Sequence, residues 1–251
     1  MIKIGLLGCG KIGTAILNEI QKNHLAEVIF IQEQEGFACT DKDIRIIHTA
    51  DEDVYREADL IIESATKAVL ENSLDLILKH CDLLMFSVTA FAEKDFEDKV
   101  GALQKMHGRK IYIPHGAILG LDGIFDGKDL WKEVHIVTKK SPASLGRDDV
   151  ETKVIFDGIT RDACKLYPRN VNVHAAIALS GIGFDKTYST IISCPSVNYN
   201  SHEITVISDD TTIKLEIRST ANGSITGSYT PVSAIGSVRR LLNSEERIRV
   251  I

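Results

Sequence analysis

No basic run, no Cys-x-x-Cys pair and no apolar stretch of membrane-spanning length occurs in this chain of 251 residues. Each absence excludes a class. With a net charge of −6 and no interleaving of aromatic and basic residues, the surface would repel a phosphate backbone, which argues against nucleic acid as a partner. A spanning helix needs about 18 or more consecutive apolar residues, so no membrane partner is expected. The five cysteines, Cys9, Cys39, Cys81, Cys164 and Cys194, are scattered and odd in number. They fit reduced thiols in a cytoplasm better than a disulfide framework. The eight histidines show no H-x-x-x-H spacing, so no metal site is expected. The opening "MIKIGLLGCGKIG" lacks the long apolar region and small-residue cleavage site of a signal peptide. Proline is scarce, with five in all, and no Pro-rich linker or low-complexity tract divides the chain.

What is present is an ordinary globular composition, 44% hydrophobic and 25% charged. Residues 1–113 alternate strand-like and helix-like patterns. "IKIGLLG", "AEVIFIQ", "LIIES", "DLLMFSV" and "RKIYIP" read as strands. "IGTAILNEIQKN", "KAVLENSLDLILKH" and "EKDFEDKVGALQKMH" read as helices. Such alternation implies a Rossmann-type α/β domain, a parallel sheet with helices on both faces. After Pro114 the strands crowd together, with "EVHIVTKK", "TKVIFDG", "YSTIISC", "HEITVIS" and "TIKLEIRST" interrupted by two helical stretches. This predicts an α+β domain over 114–227 with a mostly antiparallel sheet. The last amphipathic segment, "PVSAIGSVRRLLNSEE", has Val232, Ile235, Val238, Leu241 and Leu242 as one apolar stripe. It is expected to return, within 228–251, to complete the first domain.

The first motif with chemistry is Gly8-x-Gly10-x-x-Gly13, set between the first strand and the first helix. Gly8 allows a tight turn, Gly10 lets the backbone approach a pyrophosphate, and Gly13 lets helix and strand pack closely. Lys11 and Ile12 fill the intervening positions, where helix N–H groups and the positive dipole end would face the phosphates. Glu33 lies 20 residues after Gly13, at the end of the second strand, where a carboxylate binds a ribose 2′-hydroxyl. NAD is the expected cofactor, with NADP as the alternative.

The second half carries "IPHGAILGLDGI" (113–124), "TKKSPASLG" (138–146), "LYPRNVNVHAAIALSGIGFDKT" (166–187) and "CPSVNYNSHEI" (194–204), in that order. On these segments the chain resembles the L-aspartate dehydrogenase family, whose members carry a P-S-G-A-x-G-G-L-D loop, a T-x-K-P-P segment, an F-P-x-N-x-N-V-A helix start and an A-D-P-x-x-x-x-N-x-H turn. The resemblance implies that His202 is the active-site histidine and that Ala117 and Asn172 contact NAD. Lys140 and Asn200 match the basic residue of the T-x-K-P-P segment and the asparagine of the last turn. Because the two carboxylates of the substrate need cationic or N–H partners, Lys140, Asn200, His115 and Arg169 are the candidates to meet it. The plain structural alternatives are a helix cap for Asn172, a small loop residue for Ala117 and a solvated strand end for Lys140. The turn "SVNYN" is expected to lift His202 out of the sheet, with a pKa near neutrality suited to acid/base work.

Four departures from the family stand out: His115 replaces a serine, Ser141 a proline, Cys194 an acidic residue, and "GSYTPVS" stands where N-P-K-T-S is usual. The resemblance implies oxidative deamination of L-aspartate through iminoaspartate, which can feed NAD biosynthesis, by a homodimer in the cytoplasm. Two other readings stay open. One is a dehydrogenase or imine reductase acting on a different amino acid. The other is a dinucleotide-binding sensor without turnover.

Overall fold

The computed structural model describes residues 1–39, 41–221 and 227–242. The chain divides into two compact units: Met1–Ala90 with Lys94–Pro114 and the segment from Ser233 onward, and Phe91–Glu93 with His115–Val232.

In the first unit, β1 (Lys3–Leu7), β2 (Glu27–Gln32), β3 (Arg45–Ile47), β4 (Leu60–Glu63), β5 (Asp82–Met85) and β6 (Ile111–Tyr112) form one sheet in the order β3-β2-β1-β4-β5-β6. Every neighbouring pair is parallel. The helices are α1 (Lys11–Asn23), α2 (Glu52–Tyr55), α3 (Lys67–His80) and α4 (Lys94–His107). The strand order turns outward in both directions from β1 and β4, the arrangement of a nucleotide-binding sheet. β3 and the short α2 have no clear signal in the sequence. β3 spans three residues, too few to display a period, and exists because β2 offers it a parallel edge at Phe30–Gln32. α2 is fastened by Asp51, whose carboxylate accepts from the N–H groups of Asp53 and Val54.

The second unit holds α5 (Leu121–Asp126), β7 (Glu133–Lys140), β8 (Lys153–Ile159), α6 (Thr160–Leu166), α7 (Asn172–Ser180), β9 (Tyr188–Ser193), β10 (Tyr199–Ile207) and β11 (Thr212–Thr220). Its sheet runs β11-β10-β7-β9-β8. Three of the pairings are antiparallel and one, β7 with β9, is parallel. Burial alternates along β7, where Val134, Ile136, Thr138 and Lys140 point into the unit. Asn200, His202, Ile204 and Val206 do the same on β10, and Ser189, Ile191 and Ser193 on β9. Thr138, Lys140, Ser189, Ser193, Asn200 and His202 thus occupy positions that an apolar core would normally fill.

The last described element is α8 (Tyr229–Leu242). Ala234, Val238 and Leu242 join Ile4, Ile16, Leu17 and Ile20 in one apolar core, and Leu241 packs against it. The guanidinium of Arg239 bonds Glu19 on α1 at 2.6 Å. The apolar stripe read from the sequence therefore needs one correction. Val232 is 59% exposed, and Ala234 occupies the buried line instead. Residues spaced four apart, 234, 238 and 242, stack on one helical face, and Val232 falls outside that row. The predicted extension over 243–251 lies outside the described residues.

Candidate active site

The glycine loop is held from several sides. Gly8 has φ +83°, a left-handed conformation, and an added Cβ would come within 2.7 Å of the Ala65 backbone. A Cβ on Gly13 would stand 2.2 Å from the Gly8 carbonyl oxygen. A Cβ on Gly10 would meet nothing within 4 Å, so the space above it is open. Gly10 caps α1 without a side-chain partner, and no acidic residue occupies the first turn. The N–H groups of Lys11, Ile12 and Gly13 lie in that first turn, with Lys11 exposed. This cradle fits a pyrophosphate: open backbone, a 13-residue helix dipole and no competing carboxylate in the helix's first turn.

Glu33 has a task that the sequence does not show. Its carboxylate accepts from the Cys9 N–H at 2.7 Å and from the Gln34 N–H at 2.9 Å. It therefore fixes the loop between Gly8 and Gly10. Glu63, at the end of β4, is fully buried and does the same for the neighbouring turns. It accepts from the N–H groups of Ala65, Phe86 and Ser87 and from the Ser87 hydroxyl. Burial pushes its carboxyl up, and these four donors pull against that shift. No spacing rule singles out Glu63. The only hint is an acid ending an otherwise apolar strand.

In the second unit, Lys140, Asn200 and His202 share the inward face of one sheet. His202 does not stand on a turn. It lies inside β10, paired with Thr138 on one side and Ile217 on the other, and is 4% exposed. The turn ends earlier, before Tyr199, because the β10 backbone finds ladder partners on both flanks from Ser201 onward. Its proton affinity also differs from expectation. Burial first, and the Lys140 charge second, push the imidazole down to about 3. His202 is thus neutral at pH 7 and does not titrate near neutrality. Burial likewise lowers the Lys140 ammonium to about 8. Lys140 is 3% exposed, and its Nζ lies 3.4 Å from the Asn170 carbonyl oxygen and 3.5 Å from Asn170 Oδ1. A solvated strand end does not describe it.

The remaining candidates lie elsewhere in this unit. His115 Nδ1 donates to the Ile118 carbonyl at 2.6 Å, stiffening the loop that contains the half-buried Ala117. Asn172 is the exposed first residue of α7, whose cap is Val171. Two residues escaped the sequence reading altogether. Thr138 Oγ1 lies 2.8 Å from His202 Nδ1 and 2.7 Å from His174 Nε2. A signal existed for His174, a polar ring inside the apolar helix "NVHAAIALS" that needs a buried partner.

Comparison with known proteins completes this picture. A family model for the NAD-binding domain of homoserine dehydrogenase matches residues 8–114. One for the C-terminal part of aspartate dehydrogenase matches 126–241. The L-aspartate dehydrogenase of Methanococcoides burtonii is 34% identical, over 82% of this chain and 83% of its own. That of Methanosarcina acetivorans is 31% identical over 97% of this chain and 98% of its own.

The chain belongs to the L-aspartate dehydrogenase family.

The crystal structure of aspartate dehydrogenase from Thermotoga maritima superposes with a TM-score of 0.81 at 26% identity, over the whole of both chains. A dihydrodipicolinate reductase from Paenisporosarcina shares the fold alone, at 10% identity and a TM-score of 0.54. The family is an oxidoreductase family, and the first unit carries its NAD-binding domain. Among the described residues no helix is long and apolar enough to cross a membrane.

Proposed function

We propose that this protein catalyses NAD-dependent oxidative deamination of L-aspartate, with His202 as the general base. The observation that carries the reading is the neutral imidazole of His202 beside the buried Lys140 cation on one sheet face. NAD, held by the loop of Gly8, Gly10 and Gly13, would supply the hydride acceptor for the substrate Cα. Lys140 and Asn200 hold the substrate carboxylates, and a buried cation meets a carboxylate more strongly than an exposed one. His202 takes the proton that leaves as water adds to the imine carbon, and ammonia departs to give oxaloacetate. A carboxylate placed beside Lys140 offsets the charge that disfavours the imidazolium, so substrate binding itself raises the basicity of His202. Release of the imine before hydrolysis would supply iminoaspartate for NAD biosynthesis.

The Glu33 carboxylate at the loop favours NAD, since a 2′-phosphate would meet its negative charge. Five free thiols suit a reducing cytoplasm. We assign the active species as a homodimer, which sedimentation would test directly.

The alternative substrate is another amino acid, favoured by His115 and Cys194 at positions where the family differs. The deciding experiment follows NADH formation by absorbance with a panel of L-amino acids. L-aspartate should give a kcat/KM well above every other member. Turnover of a monocarboxylic amino acid in preference to L-aspartate would replace this reading, and no turnover with any would favour a sensor.

A further inference from the structure

Five side chains in the second unit are joined in one buried line. His202 Nδ1 meets Thr138 Oγ1 at 2.8 Å, and Thr138 Oγ1 meets His174 Nε2 at 2.7 Å. His174 Nδ1 meets Ser189 Oγ at 2.8 Å, and Ser189 Oγ meets Thr160 Oγ1 at 2.7 Å. Thr160 Oγ1 lies 3.0 Å from the Thr187 carbonyl oxygen, where the line ends. His174, Thr138, Thr160 and Ser189 are each 0% exposed.

The terminal carbonyl gives the line a direction. A carbonyl only accepts, so the Thr160 hydroxyl donates to it and must accept from Ser189. Ser189, having donated, accepts from His174 Nδ1–H. A neutral imidazole with a proton on Nδ1 has a lone pair on Nε2, so the Thr138 hydroxyl donates there. Thr138 then accepts from His202, which places the His202 proton on Nδ1. Every hydroxyl donates once and accepts once, and each ring is neutral. Burial supports this, since it lowers the proton affinity of both His174 and His202. The reverse polarity would leave the Thr160 and Thr187 oxygens facing each other at 3.0 Å with no proton between them.

We propose that Thr138, His174, Ser189 and Thr160 are positioning residues that lock His202 in its Nδ1–H tautomer, presenting the Nε2 lone pair to the substrate. Among the described residues the side chain of His202 makes no other hydrogen bond than the one at Nδ1. The lock opposes the intrinsic preference of free imidazole, which favours the proton on Nε2. It also makes His202 a base rather than an acid at the start of the deamination. The line ends on a carbonyl that cannot take up a proton, so it orients the ring and does not conduct protons away. The catalytic part of the proposal rests on His202 being the general base; the tautomer does not.

The test pairs a spectroscopic readout with kinetics on the full-length enzyme. In histidine-labelled wild type, 15N NMR should show His202 with a protonated Nδ1 and a bare Nε2. Thr138→Val keeps the shape and removes the link. It should move His202 toward the Nε2–H form and lower kcat by about ten-fold or more, because a base in the wrong tautomer has no lone pair to use. The KM for L-aspartate and the affinity for NADH should stay within about two-fold, as no substrate contact is lost. Ser189→Ala, two links further away, should produce a smaller change in the same direction, and Thr138→Ser should restore both readouts. An Nε2–H signal in wild type, or wild-type spectra in Thr138→Val, would overturn the lock. A changed tautomer with unchanged kcat would overturn its catalytic role. Full turnover in His202→Ala would instead overturn the general-base reading, leaving the NMR assignment to stand by itself.

Discussion

In the first unit, the groups suited to a ligand are backbone N–H donors at the start of α1, aimed by glycines whose missing Cβ atoms leave the room. In the second, they are side chains, a histidine, a lysine and an asparagine, set on a sheet face and kept there by other buried side chains. The first device depends on spacing along one short stretch. The second draws on residues up to 64 positions apart. A backbone cradle tolerates changes in most surrounding side chains and fails when a glycine gains a Cβ. A side-chain site tolerates backbone neighbours but loses chemistry with a single hydroxyl or imidazole. Each contrast can be broken experimentally.

The largest effect should come from removing the proposed base. His202→Ala should lower turnover by about 10²–10⁴, the range for a lost general acid/base, with NADH affinity nearly unchanged. Parallel stopped-flow turnover and NADH titration check this, and a matching loss of affinity would show that the two units do not divide the work. Gly13→Ala should do the converse. Its Cβ would fall 2.2 Å from the Gly8 carbonyl oxygen, so the loop must shift away from the phosphates. Loss of one charge-assisted hydrogen bond, about 1.5–3 kcal/mol, raises the Kd for NADH roughly ten-fold or more. Fluorescence titration would reveal it, and an unchanged Kd would remove the cradle from the argument.

Acid should act on the second unit through its neutral histidines. The folded state lowers the His202 pKa from 6.5 to about 3, and the His174 pKa also falls. Between these values the unfolded chain binds protons that the folded one refuses, so stability is lost as pH drops below 6.5. The slope is on the order of 1 kcal/mol per pH unit for each such ring. Denaturant unfolding at a series of pH values should show it, and His202→Gln should flatten the slope. The smallest effect concerns cofactor choice. Glu33→Ala should shift preference from NAD toward NADP by roughly ten-fold, the size of one charge-assisted hydrogen bond. Because Glu33 also holds the Cys9 N–H, affinity for both dinucleotides should fall together with that shift. An unaltered ratio of the two would sever Glu33 from ribose recognition.

Much of this was legible in the chain. Alternating strand and helix patterns, the glycine spacing and the acid after the second strand announce a nucleotide-binding sheet, because each follows from local geometry. Ordered segments in the second half carry the family likeness, and His202, Lys140 and Asn200 come from it. The chain alone could not say that the strand starts at Tyr199 and so encloses His202. A Pro and several turn-formers precede it, and local turn chemistry was outweighed by ladder partners, β11 just after β10 in the chain and β7 far before it. Nor could it say that the imidazole is neutral, since burial is a property of the packed unit and not of the residue.

Local residue pattern, then, determined the parallel sheet and the phosphate cradle, because backbone conformation and side-chain period act over a few residues, and the family likeness pointed to the candidate groups of the second unit. Tertiary structure alone decided that Thr138 and His174 stand between His202 and a carbonyl at Thr187. It decided as well that Glu63 ties the segments after β4 and β5 together and that Lys140 is buried. Hydrogen bonds reach only about 3 Å, so a line of them through five side chains exists only once three strands and two helices have been packed to that tolerance.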